Sequence, residues 1–194
     1  MGTNDISSVL TGEGIPPRTR CPVYTAWRDM LKRCYSESFH LRYPTYKGCE
    51  TTAEWLTSSN FREWMLAQDW EGMQLDKDLL RPGNKLYSPE TCRFIPGWLN
   101  NLFTDRGRGR GDFPLGVSKH QNGFQMAIRI DGSLFRKQYK TISEASRAYV
   151  DAKTNYVRGK YHLLTPELVE GCGSRLKLLA AGEANRWVQF PLSG

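Results

Sequence analysis

Residues 71–104 read EGMQLDKDLLRPGNKLYSPETCRFIPGWLNNLFT, and this stretch decides the class of fold. A strand is expected from Met73 to Leu79, then a turn at Pro82-Gly83-Asn84 and a polar Ser88-Pro89-Glu90 segment. A second strand follows from Cys92 to Ile95. A helix opens near Pro96, where a fixed φ suits the first helical turn. Strand, loop, strand and helix in such close succession point to an α+β protein rather than an all-helical or all-β one.

Upstream, Trp27, Met30, Leu31 and Tyr35 recur at helical spacing over 24–35, which predicts an amphipathic helix. A second helical pattern covers 52–68, with Ala53, Leu56, Phe61, Trp64 and Met65 on its buried side. Between them lies SESFHLRYPTYKGC, a loop of tyrosines and basic residues. Trp27, Trp55, Trp64 and Trp70 are expected in the core rather than on a stacking surface. Residues 1–20, rich in Gly, Ser, Thr and Pro, read as a flexible arm.

Downstream, residues 105–112 form an Arg/Gly linker carrying Arg106, Arg108 and Arg110, and the domain boundary is expected there. PLGVSK, FQMAIRI and LFRKQY then read as three short strands, joined by turns at Gln121-Asn122-Gly123 and Asp131-Gly132, which favour an antiparallel meander. Thr141-Ile142-Ser143-Glu144 is a capping box, and Ala145, Ala148, Tyr149, Ala152 and Tyr156 give the next helix a small-residue face. The expected organisation is an arm (1–20), a helical and ββα module (21–104), the linker (105–112), a three-stranded sheet with a helix (113–164), and a tail (165–194). The tail is less structured by pattern, apart from a helix through Arg175–Ala184.

Charge is concentrated in the second half. The 194 residues carry 27 Lys+Arg against 20 Asp+Glu. Residues 105–160 hold 12 Lys/Arg and 5 Asp/Glu, so the whole excess of +7 lies there. A local excess of this kind is the footprint of a protein that meets a polyanion, most commonly nucleic acid. No run approaches the roughly 18 to 20 apolar residues of a membrane span, so no membrane partner is expected. Cys21, Cys34, Cys49, Cys92 and Cys172 are odd in number and lack paired spacing, which predicts reduced thiols and a cytoplasmic setting. Cys34, Cys49 and Cys92, with His40 nearby in sequence, are candidates for a structural zinc, and nothing in their spacing demands one.

Leu75-Asp76-Lys77-Asp78, Gly83-Asn84-Lys85, Tyr87-Ser88-Pro89-Glu90-Thr91-Cys92 and Asn100 together resemble the ββα-metal core of HNH endonucleases, especially homing-type enzymes of phages. The segment Trp27…Met30-Leu31…Arg33-Cys34-Tyr35, with Tyr46-Lys47-Gly48 and Glu54-Trp55, extends the resemblance to residues 24–104. It implies that Asp76 and Asn100 hold a divalent metal, Mg²⁺ or Mn²⁺. Two positions depart from the family. Lys77 stands where the general-base histidine belongs, and Thr91 where an asparagine orients that histidine. An ordinary lysine is protonated at neutral pH and takes no proton from water. Asp78 or a metal-bound hydroxide is then the base, with Lys77 steadying a phosphate or the leaving oxygen.

Gly116-Val117, Gly123-Phe124, Met126-Ala127-Ile128-Arg129, Tyr139-Lys140-Thr141 and Glu144-Ala145…Ala148-Tyr149 resemble an AP2 DNA-binding domain, whose three-stranded sheet enters the major groove with a helix behind. Alternation along FQMAIRI sends Phe124, Met126, Ile128 and Ile130 to the helix, and Gln125, Ala127 and Arg129 toward DNA. Arg129 is the candidate base reader. Lys119, His120, Arg136 and Lys137 are candidate phosphate contacts, although alternation in LFRKQY leaves its wet face open.

The leading expectation is therefore a phage-type endonuclease that cuts double-stranded DNA with a divalent metal and is targeted by an AP2-like domain. Two alternatives stand beside it. One is a catalytically degenerate DNA-binding or regulatory protein on the same modules. The other is an inhibitor that grips a host protein through the N-terminal helices and acids such as Glu54 and Glu63.

Overall fold

Trp27 sits at the centre of the first core, its indole N–H donating to the Trp55 carbonyl at 2.8 Å. The computed structural model describes residues 2–5, 21–104 and 112–182. The chain forms two compact units, Met1–Ile95 and Pro96–Gly194.

In the first unit, α1 (Pro22–Tyr35) is followed by α2 (Glu37–Arg42), a 3₁₀ turn (Pro44–Tyr46), β1 (Glu50–Thr51), a second 3₁₀ turn (Glu54–Leu56) and α3 (Ser58–Leu66). β2 (Met73–Asp76), β3 (Leu86–Tyr87) and β4 (Arg93–Pro96) complete it. β1 pairs in parallel with β3, with Glu50 opposite Leu86 and Thr51 opposite Tyr87. β2 pairs with β4. The α1 stripe buries Val23, Trp27, Met30 and Cys34, while Tyr35, expected on the same stripe, is 47% exposed. Trp55 meets Phe61 edge-on at 5.1 Å and Trp64 at 4.5 Å, and Trp64 in turn meets Phe94 at 5.6 Å. Removing Trp55 and Phe61 from water contributes roughly 1.5–3 kcal/mol for each side chain. Trp27 and Trp55 are buried as expected, while Trp64 and Trp70 are half-buried and pack against that core.

The start of the chain departs from the expected loose arm. Thr3 bridges Thr57, and its N–H donates to the Leu56 carbonyl at 2.7 Å. Asp5 then accepts from the Ser58 and Ser59 hydroxyls and from the Ser59 N–H at 2.9 Å. Gly2 makes the approach possible. A Cβ there would lie 2.6 Å from Leu31 Cδ1 and 2.9 Å from both Trp27 Cζ2 and the Leu56 carbonyl oxygen. Residues 6–20 lie outside the described residues.

The second unit begins with α4 (Gly97–Phe103), so the division falls ahead of this helix rather than in the Arg/Gly linker. The reason is packing. Trp98 stands edge-on to Tyr156 at 5.6 Å, and the Phe103 ring lies under Lys153 and Arg175, each 5.5 Å from its centroid. β5 (Val117–His120), β6 (Gly123–Ile130) and β7 (Ser133–Tyr139) form an antiparallel sheet in sequence order. Both expected turns are present. Asp131 and Gly132 take φ of +46° and +82°, and Gln121 takes +43°.

Behind the sheet runs α5 (Ile142–Gly159), opened by the complete Thr141–Glu144 capping box. Ala145, Tyr149, Lys153 and Val157 are its most buried positions, so the expected face is shifted toward Lys153 and Val157. The tail is more ordered than its pattern predicts. Thr165 caps α6 (Pro166–Ala180), which buries Leu168, Cys172 and Leu176. Gly171 and Gly173 carry a low helix propensity, and packing of the buried side overrides it.

Candidate functional site

Two places carry the side chains singled out by the sequence. The first is the end of β2, where hydrogen bonds between neighbours turn the strand sharply. Asp76 Oδ1 accepts from the backbone N–H groups of Asp78 at 2.9 Å and Leu79 at 2.6 Å, an Asx-type turn that ends the strand before its expected limit. Arg33 donates to the Leu75 carbonyl at 3.4 Å from α1.

Lys77 is buried. Its ammonium donates to both Asp78 carboxylate oxygens at 2.8 Å and to the Asn84 carbonyl at 2.5 Å, with the Tyr87 ring 5.8 Å away. Asn84 returns the bond, donating to the Lys77 carbonyl at 3.1 Å and to the Leu86 carbonyl at 2.5 Å. Sequence reasoning read Asn84 as a turn residue and missed this clamp. Thr91, at the orienting position, instead closes the β3–β4 connection. Its hydroxyl donates to the Leu86 carbonyl at 2.7 Å and accepts from the Ser88 N–H at 3.2 Å. Asn100 is half-buried on α4, in the second unit. Asp76 and Asn100 thus belong to different units.

Cys34, Cys49 and Cys92 share one core with closely related electrostatics. Burial, reinforced by the neighbouring Cys49 and Cys92 thiols, pushes Cys34 up to about 12. Burial does the same to Cys92, also to about 12, and raises Cys49. His40 turns its Nε2 to the Arg33 carbonyl at 2.8 Å. Among the described residues, no group of three or more His, Cys, Asp or Glu is placed to hold a metal ion.

The second place is the sheet of the second unit, where the register assigns every strand residue to a face. Val117 lies opposite Met126, and Ile128 opposite Phe135; with Lys119, Phe124, Lys137 and Tyr139 they form the face that α5 covers in part. Ser118, His120, Gln125, Ala127, Arg129, Leu134, Arg136 and Gln138 form the other face, away from the helix. The register gives each residue of LFRKQY its face, and both faces are wet there, since residues 133–138 are all exposed. Arg136 is on the open face, while Lys137 and Lys119 are on the helix face, where each ammonium lies over a ring: Lys119 over Phe124 at 5.4 Å and Lys137 over Tyr139 at 5.6 Å.

Arg129 Nη1 donates to the Gly132 carbonyl at 2.6 Å, which holds its guanidinium beside the hairpin turn. That turn is itself tied down. Asp131 Oδ1 accepts from Tyr156 Oη at 2.5 Å and Lys160 Nζ at 2.9 Å, and Lys160 lies 5.0 Å over Trp98. The Tyr156 and Lys160 hydrogen bonds hold the Asp131 carboxyl below the usual carboxylate range. Arg106, Arg108 and Arg110 lie outside the described residues.

Compared with known proteins, the chain matches no family model, no curated protein and no solved structure.

Proposed function

We propose that the protein binds double-stranded DNA through the open face of β5–β7, and that the strand end at Asp76–Asp78 serves as a structural corner rather than as a nuclease centre. The observation that carries the reading is the register, which gathers His120, Gln125, Arg129 and Arg136 on the face that α5 leaves uncovered. These are side chains that donate to phosphates and base edges, and the surrounding segment carries the whole excess charge of the chain. The AP2 resemblance supports the same face as the one that enters the major groove.

Cleavage finds less support. The Lys77 ammonium already neutralises Asp78 through both oxygens, and one Asp76 oxygen is spent on two backbone donors. A divalent cation wants uncommitted anionic oxygens, and a positive charge bonded to the neighbouring carboxylate opposes it. Of the expected alternatives, the DNA-binding or regulatory protein on a degenerate nuclease core is therefore preferred over the metal-dependent enzyme.

The test is a salt series of fluorescence anisotropy with a labelled duplex. A plasmid incubation with Mg²⁺ or Mn²⁺, an EDTA control and Asp76→Ala runs beside it. The expected result is affinity that falls steeply with salt, ignores chelator and leaves the plasmid supercoiled. Metal-dependent nicking that disappears in Asp76→Ala restores the endonuclease reading. Duplex affinity that is absent or insensitive to salt overturns the proposal and favours a protein partner.

A further inference from the structure

The segment 36–47 of the first unit has no part in the function proposed above, yet it carries the chemistry of a nucleic-acid contact. Residues 32–47 contain Lys32, Arg33, Arg42 and Lys47 against a single acid, Glu37. Within that basic stretch the aromatic rings are already assembled. Phe39 meets Tyr43 at 4.7 Å between centroids, inclined by 40°, and Tyr46 edge-on at 5.4 Å. Lys32 lies 5.5 Å over Phe39, and Arg33 lies 5.9 Å from the centroid of Tyr46.

The loop is held from below by other residues. Lys85 Nζ donates to the Thr45 carbonyl at 2.5 Å, His40 is bonded to the Arg33 carbonyl, and the Ser36 hydroxyl accepts from the Phe39 N–H at 3.3 Å. Phe39 and Tyr46 are half-buried and form the base of the cluster. Tyr43 is different: it is 44% exposed at the top of the array, while the adjacent Leu41 is 81% exposed. A ring ordered by a neighbour and left open to solvent, with cations on both sides in sequence, loses little freedom when a flat partner stacks on it.

We propose that Tyr43, backed by Phe39 and flanked by Arg42 and Lys47, is a stacking platform for an unpaired nucleobase of single-stranded nucleic acid. The cations fit the phosphates on either side of the base, and base faces are open to such stacking only outside a duplex. An anionic membrane surface fits less well, because α2 spans only six residues and offers no continuous apolar face to bury. The proposal goes beyond duplex binding by the sheet and stands independently of it.

The experiment measures binding of the full-length protein to a labelled single-stranded oligonucleotide and, separately, to a labelled duplex. Tyr43→Ala is compared with Tyr43→Phe, with the double variant Arg42→Ala/Lys47→Ala, and with the sheet variant Arg136→Ala. Tyr43→Ala is expected to weaken single-strand binding by about tenfold, Tyr43→Phe to stay within about twofold, and duplex binding to be unchanged by either. Arg42→Ala/Lys47→Ala is expected to weaken single-strand binding and flatten its salt dependence. Arg136→Ala is expected to affect the duplex alone, so a failure of the sheet reading leaves this result intact. Tyr43 is exposed, and circular dichroism of each variant verifies that the fold is retained. Single-strand affinity unchanged in Tyr43→Ala overturns the proposal, as does an equal loss for duplex and single strand. Tyr43-dependent binding to phosphatidylserine vesicles without single-strand binding also overturns it, in favour of a lipid surface.

Discussion

Lys77 and Asn84 hold each other from opposite ends. The lysine ammonium donates to the asparagine carbonyl at 2.5 Å, and the asparagine amide donates to the lysine carbonyl at 3.1 Å. The segment 77–84 is thereby closed by its own first and last members, and Asn84 also accepts from the Leu86 N–H at 3.1 Å to set the start of β3. Asn84→Ala removes the side-chain bonds and leaves the Lys77 ammonium in place, at a cost of about 1–3 kcal/mol in urea unfolding. Lys77→Ala also abandons the Asp78 carboxylate. Because the Asp78 side chain is 34% exposed and rehydrates, the loss is discounted to about 2 kcal/mol. Lys77→Met keeps the apolar stem and costs less than Lys77→Ala; equal costs would mean that the ammonium, which both variants lack, and not the packing of the stem dominates this corner.

Gly116 is fixed by two independent constraints. Its φ is +76°, and a Cβ would fall 2.0 Å from Tyr149 Cδ2 and 2.1 Å from Cε2. Gly116→Ala is expected to destabilise the second unit by roughly 2–4 kcal/mol, part from left-handed strain and part from collision with a buried ring. Trimming the ring by Tyr149→Leu relieves only the second part. The double variant, measured by thermal unfolding, therefore falls short of additivity, with Gly116→Ala costing about 1 kcal/mol in the Tyr149→Leu background.

Local signals were legible and long-range ones were not. The α1 period, both hairpin turns and the Thr141–Glu144 capping box lie within a few residues of one another, so the sequence displays them directly. The attachment of Thr3 and Asp5 to residues 56–59 is different in kind. It depends on a glycine slipping past Leu31 and Trp27, and no periodicity records that. Assignment of α4 to the second unit likewise rests on Trp98 finding Tyr156 and Lys160, far along the chain. β1 and β3 are two-residue strands in parallel pairing, too short for alternation to appear. At the candidate site, alternation gave the β6 face correctly, whereas the β7 face needed the register. Asn84 was legible as a turn residue, but its grip on Lys77 is a tertiary fact.

Acid should loosen the chain at two carboxylates. Hydrogen bonds from the Ser59 and Ser58 hydroxyls lower Asp5 to about 2, and those from Tyr156 and Lys160 lower Asp131. A carboxyl depressed in the folded state stabilises it fully above the unfolded value, near 4, and loses that contribution as pH falls through the folded value. Both contacts are thus intact at pH 7 and begin to weaken only below about pH 4. Hydrogen exchange at the Thr3 and Ser59 amides, divided by the intrinsic exchange rate at each pH, is expected to rise over that range. In Asp5→Asn the acid-dependent part of the rise disappears, and a rise at the same pH in that variant would assign the opening to another group.

Arg136 and Lys137 are neighbours with the same formal charge on opposite faces of β7, and they separate sheet-face recognition from general attraction to a polyanion. Both are exposed, so neither truncation disturbs a core. If the open face meets DNA, Arg136→Ala removes a contact that displaces a counterion. The slope of log affinity against log salt then falls by about 0.9, with a loss of affinity at every salt concentration. Lys137→Ala removes a charge that lies over Tyr139 on the helix face, and its effect is confined to a small change that vanishes in moderate salt. Equal effects of the two substitutions would mean that DNA senses only the net charge of the second unit. A larger effect of Lys137→Ala would place the contact on the edge and helix side of β7, where Phe135 is 54% exposed, and would reverse the proposed docking face.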